Sequence, residues 1–161
     1  MRSLTLAVTL LAAGCGGSMF SQRIADYRAA ANSLDLVVAG HAQSPAAAAP
    51  STCAAAMADY AQRAGALVDR MQSMSGGLDE CMSSLGRSDR ADLASGCAAI
   101  RTELDAHLKN GCSSSDLAAE MNRHAAAMKG HTSHELDRMG EMENMGSGMG
   151  SSMMDGRQGC H

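Results

Sequence analysis

The chain has 161 residues and a formal charge of −4, with 13 Lys and Arg interspersed among 17 Asp and Glu and no basic block, which argues against a nucleic-acid partner. Phe20, Tyr27 and Tyr60 are its only aromatic residues, and a sequence so rich in Ala, Leu and Met is expected to build helices, not sheets. No Gly-rich phosphate loop, Ser-centred elbow or paired-carboxylate constellation is present, so nothing points to an enzyme or to a small-molecule substrate.

Residues 1–14 have the parts of an export signal: Arg2, an apolar run from Leu4 to Ala13, and small residues before Cys15. The run is too short to span a bilayer, which needs about 20 residues. Ala12-Ala13-Gly14-Cys15 resembles the lipobox of bacterial lipoproteins, although the commonest pattern has Leu where Ala12 stands. That resemblance implies cleavage before Cys15, lipid on its sulfur, and anchoring to a membrane, with residues 15–18 as a flexible tether. Gly16 in place of Asp implies the outer membrane, facing the periplasm or the cell surface.

Four helical stretches follow from the spacing of apolar and small residues. The first is expected from about Ser18 to His41, with the stripe Phe20, Ile24, Tyr27, Ala31, Leu34, Val38 and His41. Pro45 and Pro50 bracket an Ala-rich linker. Ser51 is expected to cap a second helix with the stripe Cys53, Met57, Tyr60, Ala64, Leu67, Met71 and Met74, ended by Ser75-Gly76-Gly77. A short helical turn is expected near Asp79–Leu85. The third helix should start at Ser88, with the stripe Leu93, Cys97, Ile100, Leu104 and His107, and stop at Asn110-Gly111. The fourth opens at Ser113–Asp116 with the stripe Leu117, Met121, His124, Met128 and His131.

Short links between four helices predict an all-α fold, an antiparallel up-down-up-down four-helix bundle over 19–139. From Gly140 the composition turns to Glu, Asn, Gly, Ser and Met, and 140–161 is expected to be a disordered tail. A faint internal repeat agrees with paired hairpins. Ala25-Asp26 and His41 recur as Ala91-Asp92 and His107, and Val68–Met71 echoes Leu136–Met139 at another offset.

Six cysteines in an exported chain point to disulfides. With Cys15 committed to lipid, the topology predicts Cys53–Cys112, because both lie at one end of the bundle. It also predicts Cys81–Cys97 through a folded-back turn. Cys97–Cys112 is excluded by roughly 20 Å of helical rise. Thiolate ligation of a soft metal, as in four-helix copper-storage proteins, is the competing reading, but those proteins line the bundle with many more cysteines.

Two features go beyond a plain helical domain. His124, Met128 and His131 share one face of the fourth helix, with His134 beyond, while His41 and His107 end their helices near where Met57 and Met121 begin theirs. Imidazole and thioether groups gathered there suit copper, with Met favouring Cu(I). The second feature is the tail, where Met139, Met142, Met145, Met149, Met153 and Met154 precede Cys160-His161. The Met-x-x-Met-x-x-Met spacing at 139, 142 and 145 resembles, in composition, the motifs of periplasmic copper and silver carriers. The expected function is therefore non-catalytic binding or buffering of Cu(I) or Ag(I) in the cell envelope. A lipoprotein that docks another envelope protein without metal is the alternative.

Overall fold

The computed structural model describes residues 17–84 and 92–152. The signal segment, Cys15, the expected helix start at Ser88, and Met153, Met154, Cys160 and His161 lie outside the described residues. Within them the chain forms α1 (Gly17–Ala42), α2 (Cys53–Ser84), α3 (Leu93–Asn110), a 3-10 turn (Gly111–Ser113) and α4 (Leu117–Ser152). Each helix packs on its neighbours in a ring, α1 on α2 and α4, and α3 on α2 and α4. This is the all-α antiparallel bundle expected.

The stripes of α1 and α3 are buried at the predicted spacing, and both end on a buried histidine, His41 and His107. The stripes of α2 and α4 depart from it halfway. On α2 the buried positions step from Ala64 to Val68, then Met71, Ser75 and Leu78, so Leu67 and Met74 sit only partly buried. On α4 they step from Met128 to Thr132, then Glu135, Met139 and Met142, and His131 is displaced from the core. The extra four-residue step restores the phase that a strict heptad loses on a straight 3.6-residue helix.

Two expected stops are overridden by packing. The α2 helix runs through Gly76-Gly77 to Ser84, absorbing about 1 kcal/mol per glycine because Leu78, Cys81 and Met82 beyond it are buried. The α4 helix likewise continues past Gly140, and Met139 and Met142 are core residues. The first part of the segment expected to be a tail is thus the end of the bundle, pinned by an Arg28–Glu143 ion pair of 2.7 Å. Met139→Ala is therefore expected to cost about 3 kcal/mol in denaturant unfolding, whereas a tail position would change stability by less than about 0.5 kcal/mol.

Helix starts are set by specific oxygens. Asp79, reaching from α2, accepts from the backbone N–H groups of Leu93 (3.0 Å) and Ala94 (2.9 Å) and so caps α3 from across the bundle. Asp116 caps α4 locally through the Ala119 N–H at 3.0 Å. Before α2, the hydroxyl of Thr52 donates to the Ala46 carbonyl at 2.7 Å.

The Cys53–Cys112 disulfide forms as predicted, with Cα atoms 5.8 Å apart. Cys81–Cys97 does not. Cys97 is a buried free thiol, and Cys81 is bonded to a partner outside the described residues. The reason is axial. Asp79 stands level with Leu93, so Cys81 lies below the start of α3 while Cys97 lies one turn above it. That offset is about 9 Å, too far for a bridge.

Candidate functional site

Four rings, one from each helix, meet at the end of the bundle that holds the α1–α2 linker and the disulfide. His41 stacks on Tyr60 with centroids 4.1 Å apart, and His107 stacks on His124 at 3.8 Å. Hydrogen-bond contacts cross the bundle axis between these pairs. Tyr60 Oη lies 2.7 Å from His124 Nε2, and His41 Nε2 lies 3.3 Å from His107 Nε2. His107 and His124 are essentially sealed from solvent, at 0 % and 1 % exposure.

The placement follows from core register. Counted from their first core residues, Cys53 and Leu117, Tyr60 and His124 occupy the same third position on α2 and α4. His41 and His107 likewise hold the last core position of α1 and α3. Each hairpin thus contributes one helix-end histidine and one ring stacked upon it.

Carboxylates fix the outer edges of two rings. Glu103 Oε1 lies 3.0 Å from His124 Nδ1, and Glu120 Oε1 lies 3.3 Å from His107 Nδ1. Arg123 donates to Glu120 through Nε and Nη2, at 2.9 and 2.8 Å, and to Glu103 through Nη1 at 3.4 Å. We assign the proton of His107 and of His124 to Nδ1, facing the carboxylates, which leaves each Nε2 as an inward-facing acceptor. Tyr60 then donates to His124, and His41 donates to His107.

Burial is the main cause of the perturbed ionisation. It lowers His41 to about 4, with repulsion from His107 adding to it. It lowers His107 to about 4 as well, against the opposing pull of Glu120. His124 is shifted down by the same desolvation, against Glu103. Glu120 falls to about 2, chiefly through its hydrogen bonds to Arg123. At neutral pH the cluster therefore holds neutral imidazoles, with the ionised Glu120 carboxylate behind His107.

A cleft of about 250 Å³ between α1 and α2 reaches the rings from outside, with His41 and Tyr60 at its floor and Gly40, Asp59 and Arg63 on its walls. On the far side, Met57's methyl and the His107 ring both abut the α-carbon of Gly111. The disulfide closes this end just above them.

The residues expected to bind metal are not gathered in one place. His124 is in the cluster and Met128 is a core residue one turn below it. His131 is half-buried, and His134 is 65 % exposed. Met139 and Met142 fill the core of the other half, about 27 Å from His124 at the far end of the run. Met145 and Met149 continue α4, and Cys160 and His161 lie outside the described residues. Sequence reasoning placed His41 and His107 at this end but missed Tyr60, Glu103, Glu120 and Arg123. The signal for Tyr60 was present, since matching the second and fourth stripes from their starts pairs it with His124. Among the described residues, no group of three or more His, Cys, Asp or Glu side chains is arranged around a single ion position. No described helix is long and apolar enough to cross a membrane.

No family model, curated protein or solved structure matches the chain.

Proposed function

We propose that the protein is a non-catalytic metal-handling lipoprotein of the cell envelope that holds Cu(I) or Ag(I) in its histidine cluster. The observation that carries this reading is the inward-facing pair His41 Nε2 and His107 Nε2, 3.3 Å apart, with His41 lining the cleft between α1 and α2. Two imidazole nitrogens bound at about 2.0–2.1 Å to one tetrahedral ion stand about 3.3–3.4 Å apart, so once the His41 proton moves from Nε2 to Nδ1 both ligate with little movement. Soft monovalent ions are content with few ligands, and neutral imidazole with a thioether nearby suits them. Glu120 supplies the outer carboxylate that orients His107 and raises its basicity, as Glu103 does for the stacked His124. Met139 and Met142 serve the core, so any loosely held ion in the distal segment falls to Met145, Met149 and the residues beyond.

The test is a Cu(I) titration of the full chain in competition with a chelator. His107→Gln is expected to lower affinity by about 100-fold or more and Glu120→Gln by about 10-fold. Met145→Ala with Met149→Ala should leave the tight phase unchanged. Equal binding by wild type and His107→Gln removes the cluster as the site.

A second reading has an observation of its own. Tyr60–His124–Glu103 and His41–His107–Glu120 are already internally bonded, as in a polar layer that merely specifies one packing. On that reading the bundle docks another envelope protein and binds no Cu(I) at all.

The anchor has a separate check in cysteine arithmetic. With Cys53 and Cys112 joined and Cys97 free, lipid on Cys15 leaves Cys160 as the only partner for Cys81. Mass spectrometry of unreduced peptides is expected to show Cys81–Cys160; a Cys81–Cys15 peptide would overturn lipidation.

A further inference from the structure

The cleft beside the ring cluster is built by two matching helix faces. Val37, Gly40 and His41 of α1, with Ser44 just past its end, follow the spacing i, i+3, i+4, i+7. Ala56, Asp59, Tyr60 and Arg63 of α2 follow the same spacing, so each set lies on one face. Where the faces meet, Gly40 and Ala56 are too small to close the seam, and the opening of about 250 Å³ remains. Neither backbone nor packing demands glycine at 40: its φ lies outside the left-handed region, and a β-carbon would meet nothing within 4 Å. Glycine weakens a helix, and what it does at this position is keep the cleft open.

The floor carries an unused hydrogen-bonding atom. His41 is 8 % exposed, and its Nε2 is taken up by His107. Its Nδ1 has no hydrogen-bond partner among the described residues. The nitrogen is not sealed either, since Glu135 Oε1 is the one fully buried side-chain oxygen or nitrogen among them left unpartnered. His41 meets solvent at the cleft, so Nδ1 presents its lone pair there. Burial lowers the ionisation of this ring, and Asp59 opposes that from the α2 wall. One turn along α2, Arg63 touches Asp59 through a single contact of 3.4 Å. The rest of its five N–H groups remain for another acceptor.

We propose that this cleft binds a small free α-amino acid with a short aliphatic side chain. The ammonium group donates to His41 Nδ1 and Asp59, the carboxylate accepts from Arg63, and the side chain lies against Val37 and Ala56. Asp59 and Arg63 are four residues apart on one helix face, with Cβ atoms about 5–6 Å apart. That span fits ammonium and carboxylate groups joined through one carbon. The opening holds about eight water volumes of roughly 30 Å³ each, a size that fits valine and not a nucleotide. The site does not rest on the metal reading. A donor on Nδ1 in fact holds the His41 proton at Nε2, and so opposes ligation there.

The probe is L-valine, titrated into the full chain labelled with [15N]histidine and kept metal-free because valine itself chelates. The expected result is a saturable shift of the His41 Nδ1 resonance. Isobutylamine and isovalerate, which each keep the branched end and one of the two charges, should bind at least about tenfold more weakly. Gly40→Leu should fill the cleft and weaken valine at least about tenfold, with Tm no lower than wild type, because leucine favours a helix and its β-carbon meets nothing. Arg63→Gln changes an exposed side chain, and it should weaken valine by a similar factor while leaving isobutylamine unchanged. No saturable shift in the wild type would overturn the site. So would isobutylamine or isovalerate binding as tightly as valine, or Gly40→Leu binding valine as the wild type does. If Gly40→Leu folds poorly, equal binding of valine by Arg63→Gln and wild type is the overturning result.

Discussion

Replacing Cys53 and Cys112 by serine is expected to lower unfolding stability by about 4 kcal/mol, the loop-closure entropy of a 59-residue separation. Most of that acts on the unfolded chain, since the bridge ties the start of α2 to the α3–α4 link and so encloses all of α2 and α3. Adding reductant is the poorer experiment, because it would also cut the bond at Cys81. Denaturant unfolding of the double variant reads the effect, and a midpoint within error of wild type would refute it. The bond also roofs the ring cluster, with Met57 and His107 packed on Gly111 beneath it. The variant should therefore bind Cu(I) more weakly than wild type even under conditions where it is fully folded.

The bridge was legible in the sequence because it needs only topology. Four helices joined by short links must put the start of the second beside the end of the third, whatever their exact packing. The Cys81 pairing needed axial register as well, and that was fixed by Asp79 capping α3 from another helix, a contact with no local signature. Composition misled at the chain's later segment. Gly, Ser, Glu and Met past residue 139 have the make-up of a tail, yet α1 extends far enough toward its start to leave an apolar face for Met139 and Met142 to cover. Gly76-Gly77 misled for the same reason, since local propensity of about 1 kcal/mol per residue yields to a few buried side chains.

Three of the four rings, His41, His107 and His124, were marked beforehand, because each is placed by the stripe of its own helix. Tyr60 needed the second and fourth stripes to be matched from their starts, and the two glutamates had no signal, since their roles depend on which helix faces which and at what height. The internal repeat held that information in a disguised form. The echo of Val68–Met71 in Leu136–Met139 runs at an offset of 68, whereas the buried positions of α2 and α4 correspond at 64, as Cys53 to Leu117 and Tyr60 to His124. Identical letters drew attention to the wrong alignment, and chemically different rings at matching core positions marked the right one.

Acid should unfold the metal-free protein through this same cluster. His41 and His107 both have their folded values depressed from 6.5 to about 4, so between those limits the unfolded chain binds more protons than the folded one. Stability then falls as pH falls. The contribution is fully present above pH 6.5, declines through the interval, and is gone below about 4. A shift of that size on one ring corresponds to about 3 kcal/mol. His124, shifted the same way, adds to the loss, while repulsion between neighbouring imidazolium groups keeps the three from acting independently. Glu120, held at about 2, extends the decline from 4.5 downward. Glu135 works against the trend, because burial raises it and its protonated form suits the folded interior. Glu135→Gln removes that opposing contribution and should expose the histidine effect cleanly, with Tm level above pH 6.5 and dropping steeply toward 4. His41→Gln in that background should flatten the drop by roughly one ring's share. A Tm that stays level from pH 7 to 4.5 in the Glu135→Gln protein would mean that the rings are not buried as neutral imidazoles. The neutral, inward-facing imidazoles on which the metal reading depends would then not exist.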